Sequence, residues 1–158
     1  MYKRDLQSII QERCFQGKAI ILLGARQVGK TTLLKQIIQE QHVAALYLNC
    51  DEPQTVTALT NCNLKELQMI IGANLFVVID EAQKVNNIGL ALKLIVDNMP
   101  NVQVIATGSS AFELRNCLNE PLTGRKYEYQ MFPISSKEIY QSLGYIDLKG
   151  SLETRLIY

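Results

Sequence analysis

The sequence predicts an α/β fold in which a parallel sheet is covered by helices on both faces. Short, strongly apolar runs alternate with runs of helical period, which is the pattern of strand–helix–strand units. The most apolar of these runs read as strands buried on both sides. Asp5–Phe15 is expected to be an opening helix, with Leu6, Ile9, Ile10 and Arg13 at helical spacing. Lys18–Leu23 reads as the first strand, Thr31–Gln41 as a helix with Leu34, Ile37 and Ile38 on one face, and Ala44–Cys50 as the second strand. Asn63–Ile71 reads as a helix opened by a capping box, Asn63 with Glu66, and stopped near Gly72. Leu75–Asp80 is the third strand and the most apolar, hence central. Ile88–Met99 is a helix ended by Pro100, and Val102–Thr107 is the fourth strand. Ala111–Leu118 is expected to be helical. Lys126–Met131 alternates and reads as a fifth, more exposed strand. A second capping box, Ser135 with Glu138, opens a helix to about Leu143, where Gly144 ends it.

The bulk properties narrow the classes. The chain has 158 residues, enough for one domain, residues 1–158. Hydrophobic residues make up 47% and charged residues 20%, which fits a packed core and argues against disorder. Sixteen basic against fifteen acidic residues leave a net charge of +1, so the overall charge gives no support for a nucleic-acid partner. The apolar runs fall far short of the ~20 residues of a membrane span, so no membrane partner is expected. Cys14, Cys50, Cys62 and Cys117 are scattered and His42 is the only histidine, which speaks against structural zinc. Cys14 and Cys50 sit in apolar contexts and read as buried thiols of a reduced, cytoplasmic protein. Leu152, Leu156, Ile157 and Tyr158 give the last residues an apolar helical turn without a polar end. This turn predicts that the domain is the N-terminal part of a longer protein, the alternative being a tail that docks on the sheet.

Gly24-Ala25-Arg26-Gln27-Val28-Gly29-Lys30-Thr31 fits G-x-x-x-x-G-K-[ST] at every fixed position. It follows an apolar strand and opens an amphipathic helix, the context its mechanism requires. Glycines let backbone N–H groups converge on phosphate oxygens, and the helix N-terminus adds partial positive charge. Lys30 is expected to reach the β- and γ-phosphates, the Thr31 hydroxyl to ligate magnesium, and Thr32 to bond the α-phosphate. Arg26 either contacts nucleotide, pairs with a neighbouring acid or is solvated.

The third strand ends in Asp80-Glu81. The C-terminal strand ends of an open α/β sheet carry its ligand site. Asp80 is expected to hold magnesium. Glu81 is expected to polarise the water that attacks the γ-phosphate, the alternative being a surface acid. No D-x-x-G or N-K-x-D of a GTPase follows, which favours an adenine nucleotide. Thr107, and after it Ser109, is a candidate to orient the water or sense the γ-phosphate; alternatively Ser109 or Ser110 caps the next helix. Arg125 is the better candidate than Arg115 for an arginine that stabilises transition-state charge, because it precedes a strand read as lying at the same edge.

With these residues assembled, the chain resembles the AAA-type ATPase core of a large bacterial and archaeal family. The resemblance rests on Gly24–Thr32, Val78-Ile79-Asp80-Glu81-Ala82-Gln83, Thr107-Gly108-Ser109-Ser110, and Gly124-Arg125 followed by Pro133-Ile134-Ser135 and Glu138. Ala25 departs from the proline often found at that family position. The resemblance implies a three-layer P-loop NTPase sandwich with strand order 5-1-4-3-2, ATP and Mg2+ as cofactors, and a following C-terminal domain, whose start Leu152–Tyr158 resembles.

The expected function is therefore magnesium-dependent ATP hydrolysis coupled to an unknown partner. Two rival readings are a nucleotide-gated binding module with little turnover and an ATP-dependent helper acting on DNA. An arginine acting in trans would require a homo-oligomer.

Overall fold

The computed structural model describes residues 3–109, 114, 118 and 121–141. Five parallel strands form one sheet: β1 (Ala19–Leu23), β2 (Ala45–Asn49), β3 (Phe76–Asp80), β4 (Gln103–Gly108) and β5 (Lys126–Gln130). Their order is β2-β3-β4-β1-β5, the expected 5-1-4-3-2 read from the other edge. Helices α1 (Asp5–Arg13), α2 (Lys30–Gln41), α3 (Pro53–Leu59), α4 (Leu64–Ile71) and α5 (Ile88–Asn98) accompany them. A 3-10 turn, Ala82–Lys84, follows β3, and residues 136–141 are helical.

Successive residues of a strand point to opposite faces, and here both faces are dry. Ile20, Leu22, Phe76, Val78 and Ile105 pack with Ile10 of α1 and Leu33, Leu34 and Ile37 of α2. Ala19, Ile21, Leu23, Val77, Ile79, Val104 and Ala106 pack on the other face with Leu59 of α3, Leu67 of α4, and Leu92 and Ile95 of α5. Each large side chain so buried contributes about 2 kcal/mol. β1 is buried along its whole length, whereas the outer strands β2 and β5 are only partly buried, as expected for β5. β3 is an inner strand, between β2 and β4.

Most elements differ from expectation by one or two end residues. Asn63 caps α4 through its side chain and Glu66 returns the bond, completing the capping box. Ser135 and Glu138 make the same reciprocal pair at the start of the 136–141 helix. The sequence reading missed α3, a seven-residue helix with proline in its first turn and too short for a clear 3.6-residue period. Leu114 and Leu118 are helical and buried. The other residues of the expected Ala111–Leu118 helix, with Arg115 and Cys117, lie outside the described residues, as do Ser110 and the Ser151–Tyr158 tail. Cys50 is buried and Cys14 only partly so.

Candidate functional site

The site gathers at the C-terminal ends of β1, β3 and β4, where the parallel arrangement brings all the strand ends to one edge. The phosphate loop leaves β1 at Gly24 with no room for a side chain, because a Cβ there would lie 2.6 Å from the Met131 carbonyl oxygen. Gly29 caps α2 at φ +97, a conformation open to glycine at little cost. The Lys30 ammonium donates to the Gly24 and Ala25 carbonyls at 2.8 and 3.1 Å, so it is held against the loop it serves.

Asp80, the last residue of β3, accepts three hydroxyl hydrogen bonds from three different elements. Thr31 of α2 donates to Oδ2 at 3.3 Å, Tyr47 of β2 donates to the same oxygen, and Thr107 of β4 donates to Oδ1. A carboxylate beside a hydroxyl is a hard-oxygen donor set, and it fits magnesium. Burial raises the Tyr47 pKa, and the bond to Asp80 raises it further, so the phenol stays protonated and a donor.

Glu81 follows in the left-handed region at φ +53, a conformation a non-glycine residue holds only when its surroundings impose it. Its N–H donates to Thr107 Oγ1 at 3.2 Å. Its Oε2 accepts from Ser109 Oγ and from Gln83 Nε2, both at 2.6 Å. Thr107 is fully buried, and its hydroxyl is occupied by Asp80 and the Glu81 N–H. It joins the two acids, while Ser109 is the strand-tip residue that touches the Glu81 carboxylate. Arg26, Gln27, Gly29, Lys30, Thr31, Thr32, Asp80 and Glu81, with Asp51, line a cleft of about 470 Å³. Val28 lines the adjoining cleft of about 450 Å³, beside Arg4, Pro133 and Ile134. Arg26 adds positive charge near Asp51, whose carboxyl is lowered chiefly by its hydrogen bond from Lys84.

Arg125 does not reach this cluster, contrary to expectation. It precedes β5, which runs parallel to β1, and its carbonyl accepts from the N–H of Ala19 at the start of β1. The beginning of a parallel strand lies at the edge opposite the phosphate loop, so Arg125 cannot touch a nucleotide held there in the same chain. Its guanidinium pairs with Asp97 of α5 at 2.7 Å.

Two residues of the site escaped the sequence reading. Tyr47 looks like any strand aromatic, and only the pairing of β2 with β3 reveals its partner. Arg4 binds Glu138 Oε1 at 2.9 Å, the Val28 carbonyl of the phosphate loop at 2.9 Å and the Phe132 carbonyl at 2.6 Å. Burial alone would raise the Glu138 pKa, but hydrogen bonds from the Ser135 N–H, Arg4, the Asp5 N–H and the Ser135 hydroxyl outweigh it and bring it down to about 2.

A family model described as an AAA domain matches residues 16–140, most of the chain. The chain belongs to the AAA domain family. This AAA domain is an ATP-binding P-loop ATPase core, and its fold is shared by a solved Walker-type ATPase. A Walker-type ATPase of Pyrococcus abyssi superposes with a TM-score of 0.63 at 22% identity, covering 90% of this chain and 57% of that one. A chain of a Drosophila ORC bound to DNA superposes at 0.59 with 14% identity, covering 85% and 93%. Among curated relatives, an uncharacterized protein of Methanocaldococcus jannaschii is 33% identical over 129 residues, covering 75% of this chain and 27% of its own length. An uncharacterized protein of Mycobacterium tuberculosis is 24% identical over 142 residues, covering 89% and 31%. The AAA domain thus spans less than a third of these relatives. Among the described residues, no helix is long and apolar enough to cross a membrane.

Proposed function

We propose that this AAA domain hydrolyses ATP with magnesium, using Glu81 as the base that activates water. The observation that carries the reading is the cluster of Lys30, Thr31, Asp80 and Glu81 around one cleft. Lys30, freed from the loop carbonyls, would bind the β- and γ-phosphates beside the backbone N–H groups of Ala25, Arg26, Gln27, Val28, Gly29, Thr31 and Thr32, whereas the Gly24 N–H donates to the Gly108 carbonyl at 3.2 Å, so Gly24 would serve by letting the loop turn. Thr31 and Asp80 would hold magnesium, which when bound supplies positive charge against the phosphate oxygens. Glu81 would take a proton from the attacking water as the water's oxygen bonds to the γ-phosphorus and the β–γ bridging oxygen leaves with ADP. Thr107 would keep Asp80 and the Glu81 backbone in register. The reaction would drive a partner or a conformational change beyond the domain.

The test is ATP turnover by the wild type and by Glu81→Gln across a range of protein concentrations. Removing a general base is worth a factor of about 10² to 10⁴. The expected result is retained ATP binding with turnover reduced to that extent. A variant that turns over at the wild-type rate would refute the role of Glu81. Tight ATP binding by the wild type with negligible hydrolysis would favour a nucleotide-gated switch instead.

A further inference from the structure

We propose that Gln83 is a positioning residue for Glu81: its side-chain amide holds the carboxylate in its working orientation through a ring closed by Ser109. This rests on the reading of Glu81 as the base. Gln83 lies two residues on, in the 3-10 turn Ala82–Lys84. Its Nε2 donates to Glu81 Oε2 at 2.6 Å and to Ser109 Oγ at 3.3 Å, and Ser109 Oγ donates to the same Glu81 oxygen at 2.6 Å. Two side chains, one from the 3-10 turn after β3 and one from just past β4, therefore close on one oxygen of the Glu81 carboxylate. Among the described residues no hydrogen bond engages the other oxygen, Oε1, which is left to accept from water.

The second observation is the other end of the amide. Gln83 Oε1 is buried, and among the described residues it has no hydrogen-bond partner. A buried acceptor without a donor destabilises a fold, and that cost offsets what the two Nε2 hydrogen bonds contribute. Fold stability alone therefore does not explain a glutamine here. Rotating the amide by half a turn gives no relief, because Oε1 would then face the Glu81 carboxylate, acceptor against acceptor. The donor end is thus fixed toward Glu81. Room for the amide comes from Gly108, where a Cβ would stand 2.8 Å from Gln83 Oε1. Two polar contacts on one oxygen restrict rotation of the Glu81 side chain, and a general base acts only when it is within hydrogen-bond reach of the proton it takes.

The experiment compares the wild type with Gln83→Met, Ser109→Ala and Glu81→Gln, reading kcat, KM for ATP and the melting temperature. Methionine keeps the length and removes the donor. The expected result for Gln83→Met is a kcat lower by about tenfold or more, a KM within about twofold, and a melting temperature close to that of the wild type, since the loss of the orphaned oxygen offsets the loss of the two Nε2 hydrogen bonds. Ser109→Ala, a smaller change, lowers kcat in the same sense with KM unchanged. A wild-type kcat in Gln83→Met overturns the proposal. So does a raised kcat, which would mean that the ring parks the base, and so does a loss of kcat accompanied by a lower melting temperature. If Gln83→Met does not fold, an unchanged kcat in Ser109→Ala overturns it. Glu81→Gln separates the two levels. If it is inactive while Gln83→Met is fully active, only the role of Gln83 fails. If it is as active as the wild type, or if the wild type itself does not turn over, the reading of Glu81 fails and the proposal falls with it.

Discussion

Acid should expose how much the domain depends on Glu138. This carboxylate is nearly buried, with 8% of its side chain exposed against 12% for Arg4. Its pKa falls from 4.5 to about 2 in the folded protein. A gap of about 2.5 units corresponds to about 3 kcal/mol of stability at neutral pH. Because the folded value is the depressed one, this contribution is complete above about pH 5 and is lost as the pH falls toward 2. Linkage leaves about 1 kcal/mol of it at pH 3, so about 2 kcal/mol disappears between pH 5 and pH 3. Glu138→Gln cannot titrate and lacks this loss, while every other carboxylate titrates alike in both proteins. The difference in stability between wild type and variant should therefore shrink by about 2 kcal/mol between those pH values, about 1 M in urea midpoint. The chain has no tryptophan, so urea unfolding is best followed by far-ultraviolet circular dichroism. A difference that stays constant from pH 5 to pH 3 would refute the account of Glu138 as an ionised, multiply bonded anchor.

Two further outcomes follow from the geometry. Thr107→Val keeps the shape but leaves Asp80 Oδ1 and the Glu81 N–H without their shared hydroxyl; it should cost about 1–3 kcal/mol in thermal or urea unfolding and lower turnover as well. Arg125→Ala removes an ion pair whose side chains are 42% and 35% exposed, so it should change stability by less than about 1 kcal/mol and leave kcat for ATP as it was; a tenfold loss of kcat would return this arginine to the reaction.

Local chemistry made much of the fold legible. The apolar runs that became β1, β3 and β4 have few other stable places, and the two capping boxes announced their helices by residue type and spacing. The phosphate loop and the acidic strand end were readable for the same reason: each is contiguous. What stayed hidden depends on contacts across the chain. Tyr47 matters only because β2 lies beside β3, and Arg4 only because α1 comes back against residues near Glu138. Arg125 was misplaced because proximity in sequence to a strand does not say which end of the sheet that strand starts from. The helix α3 was too short, and its apolar positions too few, for periodicity to speak.

The register of β1 has a consequence for how the molecule comes into being. Ile20 lies between Ile105 and Tyr127, so the strand that carries the phosphate loop finds both its neighbours in the later part of the chain. Pairings so distant in sequence form slowly, because the intervening loop must close before they reward it. On the ribosome, Gly24–Thr31 emerges long before there is a sheet to hold it. A nucleotide therefore has no seated phosphate loop to bind until β4 and β5 have been made.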